Sequence, residues 1–231
     1  MHPFAELSYN ELQPLRVSLL APAGASRPAV SLLEREDGKA VLKDYHVCSV
    51  WFRRLIAPIL VWREVKGMRK LAGLRGIPMV IQQLDRLAFV MEYLPADRLA
   101  RKRKAQWPNP DWARLAELIA EMHERGVAHC DLRRSSNILF SAEGEPFLVD
   151  FAGHVQRGAR WNVPWNWAFE RFMRADRTAI GKLKQRVAPE KLSADEKELL
   201  TQRSRLDHAA RSLGIWLRKI GRALTGSDGG T

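Results

Sequence analysis

The chain has 231 residues, enough for one large domain or two small lobes, with 46% hydrophobic and 28% charged residues as in ordinary soluble globular proteins. Its 38 Lys+Arg against 26 Asp+Glu leave a net charge of +12, which favours an anionic partner: nucleic acid, an acidic membrane surface or a phosphorylated substrate. The spacing of Cys48 and Cys130 argues against a disulfide framework or zinc site, the first residues lack a secretory pattern, and the longest apolar run, LIAPILVW at 55–62, is too short to span a bilayer. The expectation is a soluble, cytoplasmic protein that at most lies on a membrane.

Residues 1–27, rich in Pro, Ala and Ser, read as a loose N-terminal segment. AVSLLEREDGKAVLKDY (29–45) predicts two strands joined at Asp37-Gly38. From Val50 to Leu71 the pattern turns helical with a break at Pro58, and GLRGIP ends that helix. MVIQQLDRLAFVMEYL (79–94) predicts a second hairpin that turns near Asp85, and a basic stretch around Arg101, Lys102, Arg103 and Lys104 follows.

NPDWARLAELIAEMHERG (109–126) predicts an amphipathic helix capped by Asp111, with Trp112, Leu115, Ile119 and Met122 on one face and Gly126 ending it. NILF and PFLVDF are short strands around the turn SAEGE. Beyond about residue 167 the pattern is helical. The last helix carries Leu206, Ala210, Leu213, Leu217, Ile220 and Leu224 in steps of four and three, with Arg211, Arg218, Lys219 and Arg222 among them. The expected organisation is 28–95 as a sheet-rich lobe, 96–225 as a helical lobe and 226–231 as a flexible tail. RWNVPWNWAFERFMR (160–174) reads as core packing of the helical lobe, with a membrane-interfacial patch as the rival reading. No recognised nucleic-acid-binding module accompanies the charge.

Transfer of a phosphoryl group needs a cation to orient phosphates, oxygen donors for Mg²⁺ and a carboxylate to position the attacking hydroxyl. Asp131 sits at a turn after a short strand. Asn137 and Asp150 are oxygen donors flanking a strand hairpin, where they can converge on one ion. An Asp that ends the apolar run PFLVD is costly unless paired or metal-bound. Lys43 ends an apolar strand, and Glu64 on the next helix is placed to pair with it. Taken singly, Lys43 reads better as an ordinary edge-strand lysine and Glu64 as a solvated helix residue.

These stretches, in this order, resemble a protein-kinase-like phosphotransferase. HCDLRRSSN (129–137) resembles the catalytic loop, VDFA (149–152) the metal motif, AVLK (40–43) the strand of the ATP-contacting lysine, and VMEYL (90–94) the hinge that reads adenine. The likeness runs from about 28 to 155. WFRRLIAPILVWREVKGMRKLAGLRGIP and LKQRVAPEKLS are most similar to bacterial lipopolysaccharide kinases, which phosphorylate inner-core sugars such as Kdo or heptose, with RIO-type atypical kinases close in pattern.

The resemblance implies an α+β, two-lobed protein-kinase-like fold, with a small antiparallel-sheet lobe, a helical lobe, and ATP and Mg²⁺ bound between the two. It implies catalytic roles for Asp131 and Arg133 and ATP contacts from Lys43, Glu64, Met91, Glu92 and Leu94. Asn137 and Asp150 become the metal ligands, and His129 a structural brace of the loop. The expected function is ATP-dependent phosphorylation of a lipopolysaccharide inner-core sugar, with peripheral contact to the anionic inner membrane. The alternatives are a RIO-like serine/threonine protein kinase and a nucleotide-binding pseudokinase scaffold. Several positions depart from the pattern. Cys130 stands where many regulated kinases carry Arg, five residues rather than four separate Asp131 from Asn137, and Ala152 replaces Gly. No glycine-rich loop precedes Lys43 beyond Gly24 and Ser26 in GASRP, and the segment after Ala152 is short.

Overall fold

The computed structural model describes residues 2–98, 109–194 and 197. The basic run at 101–104, the helix expected over 206–224 and the tail at 226–231 lie outside the described residues. The chain divides into two compact units: Met1–Val65 with Met79–Tyr93, and Lys66–Pro78 with the described part of Leu94–Arg203.

The first unit contains helix α1 (Tyr9–Leu12), strands β1 (Arg16–Ala21), β2 (Ala29–Arg35) and β3 (Gly38–Asp44), helix α2 (Val50–Leu55) and most of helix α3 (Ala57–Lys70). Strands β4 (Val80–Gln83) and β5 (Ala88–Glu92) complete it. The sheet is antiparallel throughout, in the order β1-β2-β3-β5-β4. Arg35 pairs with Gly38, so the hairpin turns on Glu36-Asp37, one residue earlier than expected, and Gly38 opens β3. The second hairpin turns at Asp85, whose Oδ1 accepts the backbone N–H groups of Leu87 and Ala88. Pro58 falls in the first turn of α3, where its missing N–H costs no helix bond.

Side chains alternate across a strand, so register divides this sheet into two faces. On β3 and β5, Ala40, Leu42, Ala88 and Val90 share one face and pack with Leu33, Phe4 and Leu12 in one buried cluster. Val41, Lys43, Phe89 and Met91 share the opposite face. Residues 1–27 are therefore not a loose segment. They supply α1, β1 and the fully buried Phe4 and Leu12, which cover the sheet face turned away from Lys43. Polarity hid this in the sequence, because β1 is an edge strand with three exposed residues.

The same segment is tied to the end of β3 by Asp44, whose buried carboxylate accepts from Tyr9 Oη at 2.7 Å, Arg16 Nη2 at 2.8 Å and the His46 N–H at 2.9 Å. Burial alone raises the Asp44 pKa, but these donors outweigh it and hold the carboxyl below its ordinary range.

The second unit holds β6 (Asp97–Arg98), α4 (Trp112–Glu124), β7 (Val127–Ala128), β8 (Ile138–Phe140), β9 (Pro146–Leu148), β10 (Val155–Gln156) and α5 (Val163–Val187). Asp111 caps α4 by accepting the Arg114 N–H, and Trp112, Leu115, Leu118, Ile119 and Met122 form its buried face. Gly126 ends α4 at φ +69°, a left-handed conformation that suits glycine. Two small sheets follow, β6-β8-β9 and β10-β7.

The reading of 160–174 as core packing is corrected: Trp161, Trp165 and Trp167 are exposed, Trp161 at 82%, and of the aromatic residues there only Phe169 is fully buried. Helical period explains it. The buried stripe of α5 runs through Phe169, Asp176, Ile180 and Leu183, and Trp167 falls off that stripe. Among the described residues, no helix is long and apolar enough to cross a membrane.

Candidate active site

In the first unit, Lys43 and Glu64 meet inside the protein. Lys43 Nζ donates to both Glu64 carboxylate oxygens at 2.8 Å, with side chains only 7% and 1% exposed. Alternation along β3 turns Lys43 toward the helix side of the sheet, and α3 presents Glu64 from its buried face between Val61 and Val65. A buried ion pair adds little net stability over an apolar replacement. What it does provide is a cation fixed at one place. Phe89 pairs with Lys43 in register and Met91 with Val41, so buried Met91 lies on the same sheet face as Lys43. The Glu92 N–H donates to Met79 O at 2.8 Å, which consumes that donor. Leu94 begins the long segment of the second unit, where its carbonyl accepts the Ala96 N–H.

The second unit gathers His129, Asp131, Asn137 and Asp150. The loop leaves β7 through Cys130 at φ +66°, and Asp150 also lies in the left-handed region at φ +68°. Each costs about 1 kcal/mol or more for a side chain larger than glycine, and such residues concentrate at functional sites. Asp176 of α5 holds the first of these turns. Its buried carboxylate accepts the N–H groups of His129 at 2.7 Å and Cys130 at 2.9 Å and lies 3.1 Å from His123 Nε2. Asp176 was not anticipated. It lies 47 residues beyond His129, and nothing in MRADRTAI distinguishes it from a surface carboxylate.

His129 is fully buried, with its ring centroid 4.7 Å from that of Phe151. Its Nδ1 accepts the Asp131 N–H at 3.4 Å, which assigns the other nitrogen as the donor to Val149 O at 3.0 Å. The ring thus braces the Asp131 loop against the strand end that carries Asp150.

The extra residue between Asp131 and Asn137 is absorbed by a single 3₁₀ turn over Ser135–Asn137, closed by the Asn137 N–H to Arg134 O at 2.9 Å. Asn137 Nδ2 then donates to Asp131 O at 3.1 Å and to Asp131 Oδ2 at 3.4 Å. Asn137 Oδ1 accepts from Ser136 Oγ at 3.3 Å and keeps a second lone pair with which it could meet a cation. The Val149 N–H donates to Asn137 O at 3.0 Å and ties the asparagine to the residue before Asp150. One amide oxygen and one carboxylate on hydrogen-bonded neighbouring backbones suit a hard, oxygen-seeking ion such as Mg²⁺.

Burial raises the Asp131 pKa, the charge of Asp150 adds to the rise, and Arg134 and His129 oppose it. The guanidinium beside Asp131 is that of Arg134, with Nε 3.4 Å from Oδ2, although Arg134 and Arg133 are both exposed. Sequence order had favoured the first of the two arginines. The turn closed by the Arg134 N–H on Asp131 O at 3.3 Å brings the second one back toward the carboxylate.

Known proteins resemble the chain in sequence and in fold. Over a third of this chain (33%), 3-deoxy-D-manno-octulosonic acid kinases of Xanthomonas axonopodis pv. citri and Xanthomonas euvesicatoria pv. vesicatoria are each 38% identical to it. The serine/threonine-protein kinase RIM15 of Saccharomyces cerevisiae is also 38% identical, over 86 residues. These matches cover 31% of each bacterial relative and 5% of the yeast one. No protein-family model matches the chain.

Among solved structures, the Rio2 kinase of Chaetomium thermophilum aligns over 91% of this chain and 72% of its own, with a TM-score of 0.57 and 20% identity. The fold is protein-kinase-like. A second structure, described as the Rio2 kinase-ADP/Mg²⁺-phosphoaspartate complex, aligns over 95% of this chain and 76% of its own with a TM-score of 0.56. The two-lobed α+β expectation holds, with a five-stranded antiparallel sheet in the first unit and helices α4 and α5 in the second.

Proposed function

We propose that the protein is an ATP-dependent kinase that transfers the γ-phosphate to a hydroxyl of a lipopolysaccharide inner-core sugar. The observation that carries the phosphotransfer reading is the loop from His129 to Asn137. It holds a raised-pKa carboxylate at Asp131, and its Asn137 carbonyl accepts the N–H of Val149, the residue before Asp150. Asp131 accepts the hydroxyl proton and aims the nucleophile, and Lys43, held by Glu64, orients the phosphates. Asn137 and Asp150 hold Mg²⁺, and Arg133 meets the transferred group, helped by Arg134. Met91 backs the adenine, while the Glu92 carbonyl and the Leu94 N–H read its edge. Bound Mg²⁺ supplies charge neutralisation on the phosphates; the side chains supply position and fixed electrostatics.

The sugar acceptor is supported by the similarity to the bacterial kinases and by the shortness of the segment after the metal motif. Only the turn Phe151–Gly153, the two-residue β10 and a short loop precede α5 at Val163, which leaves little chain to dock a peptide. The Rio2 likeness favours a second reading, a RIO-like protein kinase, and the described ADP and Mg²⁺ of that neighbour support the same cofactors here. In either case the protein works in the cytoplasm, at the inner membrane when the acceptor is a glycolipid.

The test offers γ-labelled ATP and Mg²⁺ to the full chain with a Kdo-bearing lipopolysaccharide precursor and, separately, with an envelope protein fraction. Label on the glycolipid is expected. Label on protein alone would overturn the sugar reading in favour of the RIO-like one. ATP binding with no labelled acceptor would make the chain a pseudokinase scaffold.

A further inference from the structure

A tight, fastened turn joins β1 to β2. It runs through Gly24, Ala25, Ser26 and Arg27, with Pro22 and Pro28 on either side. The Gly24 N–H donates to Arg27 O at 3.0 Å and the Arg27 N–H to Gly24 O at 3.2 Å, which closes a hairpin loop with Ala25 and Ser26 at its tip. The Ser49 N–H donates to Ala25 O at 3.0 Å and Cys48 Sγ to Arg27 O at 3.2 Å, so the residues just before α2 hold the loop in place. Register sets this loop near Lys43. Val30 of β2 pairs with Lys43 of β3, and at most about 11 Å of chain separates Arg27 from Val30.

A glycine-rich loop cradles phosphates with its backbone N–H groups. Here the Gly24 and Arg27 N–H groups are occupied by each other, and a single glycine stands where such a loop has several. What the turn keeps available is a side-chain cation. Arg27 is exposed and makes no ion pair among the described residues. Its guanidinium is folded back across the turn: a Cβ added at Gly24 would lie 3.2 Å from Arg27 Nε and 3.5 Å from Nη2. The missing side chain at Gly24 is what leaves room for it.

Charge names the ligand. Both oxygens of Glu64 lie 2.8 Å from Lys43 Nζ, so a polyphosphate brought to that pair meets little net positive charge. A second cation on the same unit supplies what the pair lacks. The planar guanidinium offers parallel N–H donors that match phosphate oxygens.

We propose that Arg27 contacts the phosphates of the nucleotide through its guanidinium, doing with a side chain what the occupied backbone N–H groups of this turn cannot. The identity of the ligand as a nucleotide rests on the phosphotransfer reading.

The test is calorimetric titration of the full chain with Mg-ATP and with adenosine. Arg27→Ala is expected to bind Mg-ATP about tenfold or more weakly than wild type and adenosine equally well, the unchanged adenosine affinity reporting an intact fold. Arg27→Lys is expected to recover part of the loss. Gly24→Ala, whose Cβ must push the guanidinium aside, is expected to weaken Mg-ATP by a smaller factor. Mg-ATP affinity unchanged in Arg27→Ala but lost in Lys43→Ala would overturn the inference and leave the phosphotransfer reading standing. Equal loss of Mg-ATP and adenosine in Arg27→Ala would also overturn it, since Arg27 would then only prop the turn. A wild type that binds no Mg-ATP would overturn both.

Discussion

Burying the Asp131 carboxyl comes at a cost to folding. Its raised pKa means that the folded protein favours the neutral acid more than the unfolded chain does. The ionised carboxylate therefore lowers stability at pH values above its unfolded pKa, and the deficit is complete above the folded one. Acid relieves it. Replacing Asp131 by Asn removes the charge and keeps an oxygen for Asn137 Nδ2. Melting temperatures of wild type and Asp131→Asn are expected to coincide in acid and to separate as pH rises through the raised pKa, with the variant higher. A variant that melts lower at neutral pH would mean that Asp131 is held as a structural anion.

At the scale of elements, a notch in α3 shapes the turn that follows Asp150. A Cβ added at Gly67 would lie 2.7–2.9 Å from three ring atoms of His154. That ring cannot swing away freely, since Nδ1 is 2.7 Å from Phe151 O and Nε2 is 3.0 Å from Gln156 Nε2. Gly67→Ala is expected to cost about 1–3 kcal/mol by overpacking. His154→Ala empties the space, so the double variant should be more stable than the sum of the two single losses predicts. Denaturant unfolding of the four proteins measures this coupling. Additive losses would contradict the notch.

The elements also show what the sequence made legible. The hairpin at Glu36-Asp37, the cap at Asp111 and the break before Pro58 follow from local turn and cap chemistry, and were foreseen within a residue or so. Local chemistry could not reveal Asp176, whose role depends on a backbone turn brought to it from far earlier in the chain. Nor could it tell that residues 1–27 fold over a sheet face, because Phe4 and Leu12 are isolated apolar residues in a polar stretch. The tryptophans at 161–167 misled for the opposite reason: composition suggested a core, and helical phase put them outside.

At the scale of the whole molecule, the two units divide the proposed chemistry. The first carries the fixed cation Lys43, and the second carries Asp131 with the oxygen donors Asn137 and Asp150. The net charge of +12 suits a protein whose proposed nucleotide is anionic. The strain at Cys130 and Asp150, the bracing by His129 and Asp176, and the buried Lys43–Glu64 pair are hard to explain by stability and support the proposed phosphotransfer.

The most direct test of that claim is phosphotransfer from Mg-ATP by wild type and Asp131→Asn, to acceptor or to water, with ATP affinity measured on the same preparations. The account predicts a loss of turnover of about a hundredfold or more with ATP affinity unchanged. Full turnover in the variant, or equal loss of turnover and binding, would contradict it.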